Sequence, residues 1–245
     1  MRIFNDNFKV YGSRKIYRQM RNEGIVIGRH RVRRLMAELD IAGLNKSRKK
    51  VTTTKSNKAM KYPKDMVKRN FKATRPNQLW VSDITYVRVK SGFCYSAFIT
   101  DVYANYIVGW MVSDKCDKKL VIDALDMAIA KRNTKGEVLI HHSDRGVQYF
   151  SNDYVQRLKK ELIAQSVGST GDSYDNALSE SVNSFYKGEL IYNRYLNKVY
   201  SDKTELELAT SSYVHWWNNI RIQERLGYLS PAAYENQNTK EGDAA

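Results

Sequence analysis

The sequence predicts an α/β protein: a mixed five-stranded sheet flanked by helices, preceded by a small, basic helical unit. Three observations predict it. From residue 77 on, apolar runs rich in β-branched and aromatic residues recur at strand length. Segments with helical period separate the later runs, which is the pattern of helices laid on a sheet. Charge is divided along the chain: residues 1–76 hold 22 Lys/Arg against 5 Asp/Glu, and residues 77–245 hold 19 against 21. The first third therefore carries the whole of the +15 net charge, the mark of a nucleic-acid-facing arm on a near-neutral body.

Residues 13–23, "SRKIYRQMRNE", predict a helix with Ser13 as N-cap and Gly24 as its stop. Ile16 and Met20 share one face; Arg14, Lys15, Arg18 and Arg21 lie elsewhere. Residues 28–39, "GRHRVRRLMAEL", predict a second helix with Val32, Leu35, Met36 and Leu39 as its apolar stripe. Arg29, Arg33 and Arg34 project away from that stripe. Two short helices joined around "GIVIG" suit a helix-turn-helix-like unit. Residues 45–76 read as a lysine-rich linker, partly ordered by Phe71, Pro63 and Pro76. Such a linker reaches DNA phosphates without reading bases.

"QLWVSDITYVRV", "FCYSAFITDVY" and "YIVGWMVS" predict three strands, and short connections such as "KSG" predict antiparallel pairing. "KKLVIDALDMAIAKR" is an amphipathic helix with Val121, Leu125, Ala128 and Ile129 inward. "EVLIHHSD" is a near-continuously apolar and hence central strand. "NDYVQRLKKEL" predicts a helix, "IAQSV" a fifth strand, and "SYDNALSESVNSFYKGELIYN" and "KTELELATSSYVHWWNNIR" two long helices.

Two cysteines, Cys94 and Cys116, with no CxxC, exclude a disulfide scaffold and a cysteine-based zinc site. No apolar run approaches the ~18 residues of a membrane span, and "MRIFNDNFKVYG" lacks the apolar segment of a secretory signal. The expected compartment is the reducing cytoplasm, with no membrane partner.

Acids at the ends of apolar strands need a partner. Asp83 sits in "WVSDITY" and Asp144 closes the fourth strand in "HHSDRG"; a hairpin plus a crossover helix sets those strands side by side. Glu180 follows Asp144 after 35 residues, near the start of a helix whose Leu178, Val182 and Phe185 face inward. Glu180, Ser184 and Lys187 share another side at spacings of four and three. Three converging carboxylates repel one another until something neutralises them. Hard divalent cations do so with oxygen ligands, and Lys187 is positioned to hold a phosphate as a point charge.

At these residues a resemblance becomes plain. "PNQLWVSDITYV", "HHSDRGVQY", "YDNALSES" and "RIQERLGYLSPAAYE" resemble the OrfB-type transposases of the insertion-sequence-3 family, which carry a retroviral-integrase-like core. "YGSRKIYRQMRNEGIVIGRHRVRRLMAELDIAGL" resembles the small helical domain that precedes that core. The likeness covers about residues 9–236. It implies an RNase H-like fold and a DDE triad of Asp83, Asp144 and Glu180 that binds Mg²⁺ or Mn²⁺, with Lys187 as the lysine following the glutamate. It also implies the reaction: water frees a 3′-hydroxyl at an element end, and that hydroxyl attacks a second phosphodiester. The implied partners are double-stranded DNA, further copies of the chain, and an OrfA product or a fusion with it. The implied location is the nucleoid-associated cytoplasm.

On this reading residues 1–44 form the basic DNA-binding-like domain and 45–76 the linker. Residues 77–236 form the catalytic core with C-terminal helices, and 237–245 a tail. Departures from the family pattern spare the triad: "ESVNSFYK" stands for "ESFFSTLK", "SVGSTGDSYDNA" for a lead-in such as "SMSRKG", and Gln223 for a frequent histidine. The chain starts almost at the helical domain, with no leucine zipper or OrfA-like reader, so weak end binding by this chain alone is expected.

Each acid has rivals. Asp101, in "ITDVY", competes with Asp83; Asp172, Asp175 and Glu189 compete with Glu180, Glu189 being read as a solvated face residue. His141 and His142 are read as packed or hydrogen-bonded rather than metal-ligating. Arg145 could contact DNA or pair with a carboxylate. Trp80, Trp110, Trp216 and Trp217 are read as core, whereas Tyr149 and Tyr174 are expected to meet substrate. Two other functions remain open here: a catalytically inactive DNA-binding regulator of transposition, and an RNase H-type nuclease.

Overall fold

The computed structural model describes residues 1–44, 62–134, 136, 138–168 and 176–242. Packing divides the chain into two units. One comprises Met1–Arg48, Ser184–Val199 and Ser211–Ala245; the other comprises Lys49–Asn183 and Tyr200–Thr210. Residues 184–199 and 211–236, expected within the core, thus pack with the N-terminal helices.

The second unit is built on the expected sheet. Strands β1 (Leu79–Val89), β2 (Gly92–Asp101) and β3 (Tyr106–Ser113) form an antiparallel meander. Helix α4 (Lys118–Lys131) then crosses over, so that β4 (Ile140–Ser143) lies parallel to β1 and β5 (Ala164–Val167) parallel to β4, in the order β3-β2-β1-β4-β5. Asp117 caps α4 by accepting from the Leu120 amide. Helix α4 buries Leu120, Val121, Ala124, Leu125 and Ala128, while Ile129 is only partly buried. Gly109 on β3 lets α4 lie this close: a Cβ there would stand 2.1 Å from the Ala124 carbonyl oxygen. Helix α5 (Asn152–Lys160) connects β4 to β5, with Tyr154 and Leu158 buried in the same cluster as Trp80 and Leu139. On the other side of the sheet, Val67, Leu79, Val81 and Val102 form a smaller cluster covered by Phe71 and Leu178. The ordering role expected of Phe71 is met in this way. Residues 62–76 of the predicted linker thus pack with the sheet unit, Val67 being buried there, while residues 45–61 lie outside the described residues.

The first unit begins with α1 (Arg2–Asp6), which the sequence did not suggest, followed by α2 (Ser13–Asn22) and α3 (Arg29–Glu38). Gly12, not Ser13, occupies the N-cap of α2, with no side-chain cap. On α3 only Val32 and Met36 are buried; Leu35 and Leu39, expected in the stripe, are 37% and 47% exposed. A ten-residue helix packed chiefly against one neighbour needs only a narrow seam.

The C-terminal part of this unit is aromatic. Helix α6 (Ala177–Tyr186) brings it Phe185 and Tyr186, and α7 (Lys203–Asn219) brings Tyr213, Trp216 and Trp217; a π-helical turn, Lys187–Ile191, extends α6, and α8 (Pro231–Gly242) ends the unit. Trp80, Trp216 and Trp217 are core as expected; Trp110 is half-buried.

Within this cluster Glu189, expected in solvent, is only 8% exposed. Arg221, itself 3% exposed, grips it with Nη2 to Oε1 at 2.7 Å and Nε to Oε2 at 3.0 Å, and the Tyr213 hydroxyl donates to Oε2 at 2.9 Å. The guanidinium lies 4.4 Å from the Trp217 ring centroid and 4.6 Å from that of Phe185. Lys15 sits 5.0 Å from the Tyr11 centroid, and burial, then repulsion by Arg221, lowers its ammonium to about 7. A buried ion pair stabilises little net, but losing one partner strands the other charge. Arg221→Ala is expected to cost about 3–5 kcal/mol. Chemical denaturation should also show the double variant Glu189→Gln/Arg221→Met losing less than Arg221→Ala.

Candidate active site

β1 and β4 stay in parallel register from Leu79/Ile140 to Ser82/Ser143. The next residues, Asp83 within β1 and Asp144 just past the end of β4, therefore stand side by side. Each is held by local donors. Asp83 accepts from the Ile84 amide at Oδ1, 2.8 Å, and from Asn183 Nδ2 at Oδ2, 2.8 Å. Asp144 Oδ1 accepts from the Gly146 amide at 2.9 Å.

These bonds do not offset what burial does. Desolvation, then the Asp144 charge, pushes the Asp83 carboxyl up to about 8, with Glu180 adding a smaller push and the Ile84 and Asn183 bonds opposing it. Burial raises Asp144 as well, against the Gly146 bond and the charge of His142. The two acids release their protons as a coupled pair.

Glu180 lies in the first turn of α6. Sequence reasoning missed the residues that fasten this helix to β1. Asn176 Nδ2 donates to the Ser82 carbonyl at 3.0 Å, and Ser179 Oγ donates to Asn176 Oδ1. Asn183 reaches Asp83, and its own buried Oδ1 has no hydrogen-bond partner among the described residues. Asn176, Glu180 and Asn183, at spacings of four and three, share the helix face toward β1. That spacing was the available signal, but amides in a helix read as ordinary polar residues until a carboxylate is found opposite.

The other expectations resolve individually. Asp101 is fully buried and takes the Asn77 amide at 2.7 Å and the Tyr103 amide at 3.0 Å, so it organises a turn. His142 Nδ1 pairs with Ser166 Oγ at 2.9 Å and His141 Nε2 with the Tyr154 hydroxyl at 3.0 Å. Burial lowers His141 to about 3, so both histidines are packed, hydrogen-bonded groups. Tyr149, expected to meet substrate, is fully buried with its hydroxyl 2.8 Å from Ser82 Oγ, because the turn after Gly146 folds it under the strand. Arg145 donates from Nε to the Gly168 carbonyl at 3.0 Å and lies 4.4 Å from the Tyr62 centroid. Arg29, Arg33 and Arg34 are exposed on α3, with Arg34 3.5 Å from Glu38. Lys187 opens the π-helical turn of the first unit. Asp172, Tyr174 and Asp175 lie outside the described residues.

Chemically, the site offers oxygen donors only, on two carboxylates with raised proton affinity. Neutralisation by a hard divalent cation suits that donor set. Asp83 and Asp144 fit such an ion; Glu180 acts on Asp83 electrostatically, but no group of three or more His, Cys, Asp or Glu among the described residues is gathered closely enough to ligate one as it stands.

Comparison with known proteins gives the family and the fold. The integrase core domain family matches residues 73–173, a second integrase core domain family matches 180–239, and an HTH-like domain family matches 1–50. A transposase for insertion sequence element IS629 of Shigella sonnei is 50% identical over 96% of this chain and 76% of its own length. A transposase for insertion sequence element IS3411 of Escherichia coli is 50% identical over 54% of each chain. The HTLV-2 integrase catalytic core domain, solved in complex with magnesium, superposes with a TM-score of 0.53 at 17% identity, over 67% of this chain and 99% of that one. At that identity the likeness speaks to the fold, which is the mixed-sheet, integrase-core architecture expected from the sequence.

Two consequences concern the metal-free protein. Between about pH 4 and 8 the native state keeps an Asp83 proton that the unfolded chain has released, so stability should fall as pH rises through that window. Melting curves in chelator should show this slope reduced in Asp83→Asn. Asn183→Ala removes a bond that favours the ionised carboxylate, so it should move the fall to higher pH.

Proposed function

Because the chain belongs to the insertion-sequence-3 family of transposases, we propose that it cleaves and joins the DNA ends of an insertion sequence through Asp83, Asp144 and Glu180. The observation that carries this reading is the pair of half-buried carboxylates set side by side, Asp83 within β1 and Asp144 just past β4, with the Asp144 charge raising the proton affinity of Asp83. Mg²⁺ or Mn²⁺, when bound, would activate the attacking oxygen and stabilise the leaving one. The protein's part is positioning. The Ile84 and Gly146 amides and the Asn183 side chain fix the two aspartates, and Asn176 ties the helix of Glu180 to β1. In the first step water attacks a phosphodiester at the element end, and the leaving oxygen departs as a 3′-hydroxyl. In the second that hydroxyl attacks another phosphodiester, forming one P–O bond as another breaks, so no oxidant or external energy source is needed.

We assign DNA-phosphate contacts to Lys187 and Arg145, and backbone or groove contacts to Arg29, Arg33 and Arg34. The basic domain of residues 1–44 and the linker 45–76 then supply salt-dependent affinity, and residues 77–236 the chemistry. Two DNA ends call for at least two copies of the chain, and an OrfA product, separate or fused, is the expected reader of end sequence. No helix among the described residues is long and apolar enough to cross a membrane, and the proposed setting is the cytoplasmic nucleoid.

Glu180→Gln keeps the helix face but removes a charge. In end-cleavage and strand-joining assays with Mg²⁺ and a restored OrfA segment, both steps should drop by at least about 10²-fold, with binding to end DNA unchanged. Wild-type rates would take Glu180 out of the mechanism. Preferential cutting of an RNA–DNA hybrid by the unaltered protein would favour a nuclease instead.

A further inference from the structure

The first unit contains an open cleft of about 680 Å³ whose lining includes Ser13, Arg33, Asp40, Gly43, Arg194 and Tyr195. Its walls come from chain segments about 150 residues apart and are firmly joined. The Tyr195 hydroxyl accepts from the Ala42 amide at 2.9 Å, donates to the Ala42 carbonyl at 2.8 Å, and accepts from Arg194 Nη2 at 2.8 Å. All the hydrogen-bonding capacity of that hydroxyl is used in fixing this corner. Gly43 packs on Gly12 so tightly that a Cβ on it would stand 2.6 Å from the Gly12 Cα.

Some arginines of this unit are paired with carboxylates and others are not. Arg2 pairs with Glu23, Arg14 with Glu224 at 3.1 Å, and Arg34 with Glu38 at 3.5 Å. Arg33 and Arg194 have no carboxylate partner among the described residues. Arg194 is nonetheless held in place: its guanidinium lies 4.7 Å from the Tyr195 centroid and uses one donor on that hydroxyl, leaving its other N–H groups for a ligand. A planar fork fixed on an aromatic ring loses little entropy on binding a tetrahedral oxyanion. The cleft also adjoins α3, whose exposed side chains include Arg29, His30, Arg31 and Arg33. A small free anion would not need so open a seat or so extended a basic flank; a polyanion would.

We propose that this cleft seats a DNA backbone phosphate held jointly by Arg33 and Arg194, so that the segment after the π-helical turn extends the DNA-binding surface of the N-terminal helices. The inference rests on the reading of the chain as a DNA-acting transposase. The contact adds affinity and orientation without base specificity.

The test is binding of the full chain to a random-sequence duplex, followed by fluorescence anisotropy across a salt series. Arg194→Ala should weaken binding and reduce the slope of log K against log salt by about 0.9, one phosphate's worth. Arg194→Lys should keep the slope. Arg33→Ala/Arg194→Ala should lose clearly less than the sum of the single losses, as groups sharing one phosphate must. Unchanged melting of Arg194→Ala excludes a folding defect. An unaltered slope in Arg194→Ala, while the triple variant Arg29→Ala/Arg33→Ala/Arg34→Ala binds weakly, would overturn the cleft and leave the DNA reading standing. Strictly additive losses would overturn the shared phosphate. Failure of the unaltered chain to bind duplex even at low salt would overturn both.

Discussion

Strands β1 and β4 run parallel and keep register up to Ser82 and Ser143, so the residues that follow, Asp83 and Asp144, are forced into each other's company. In a partly desolvated setting their mutual repulsion is far stronger than it would be in water. Much of the surrounding structure answers to that constraint. Amides of Ile84 and Gly146 point at the carboxylates, Asn183 adds a third donor, and Asn176 secures the helix that delivers it. Three separate hydrogen bonds, Ser82 to Tyr149, His141 to Tyr154 and His142 to Ser166, brace β1 and β4 next to the acids. A binding site for a doubly charged ion gains from such rigidity, because the repulsion it relieves is already present before the ion arrives.

The helical unit treats buried charge in the opposite way. Glu189 is neutralised on the spot by Arg221, with Tyr213 taking up a remaining lone pair and aromatic rings covering the guanidinium. A fully paired buried charge has a structural role, whereas one left in need of a partner is the candidate for chemistry. The contrast separates Glu189 from Asp83 and Asp144 without reference to any relative. It also shows why a carboxylate count along the sequence is a poor guide to which acids are paired and which are not.

Division of charge along the chain completes the picture. The body is near neutral, and the surplus of Lys and Arg lies in the first 76 residues. On the proposed function, a phosphodiester substrate would be attracted chiefly by residues outside the proposed reacting centre, whose acids repel it. Placing affinity and chemistry in separate stretches lets each be tuned without disturbing the other.

The sequence by itself determined the strands, the main helices, the order in which they occur and the family, because alternation, helical period and turn residues are local properties, and because the motif blocks around Asp83, Asp144 and Glu180 are contiguous in the chain. What lies opposite a side chain is not local. Glu189 became a buried ion-pair member only because Arg221, 32 positions on, folds against it. Tyr149 turned inward because a short 3₁₀ turn follows Gly146. Asp101 became a turn anchor through an amide 24 positions away, and Asn183 met Asp83 across 100. Leu35 and Leu39 fit the helical period yet stay exposed, since period says which residues share a face but not how wide a neighbour will cover it. Tertiary structure alone decided these pairings, because the burial that makes a charge costly and the partner that relieves it both come from distant parts of the chain.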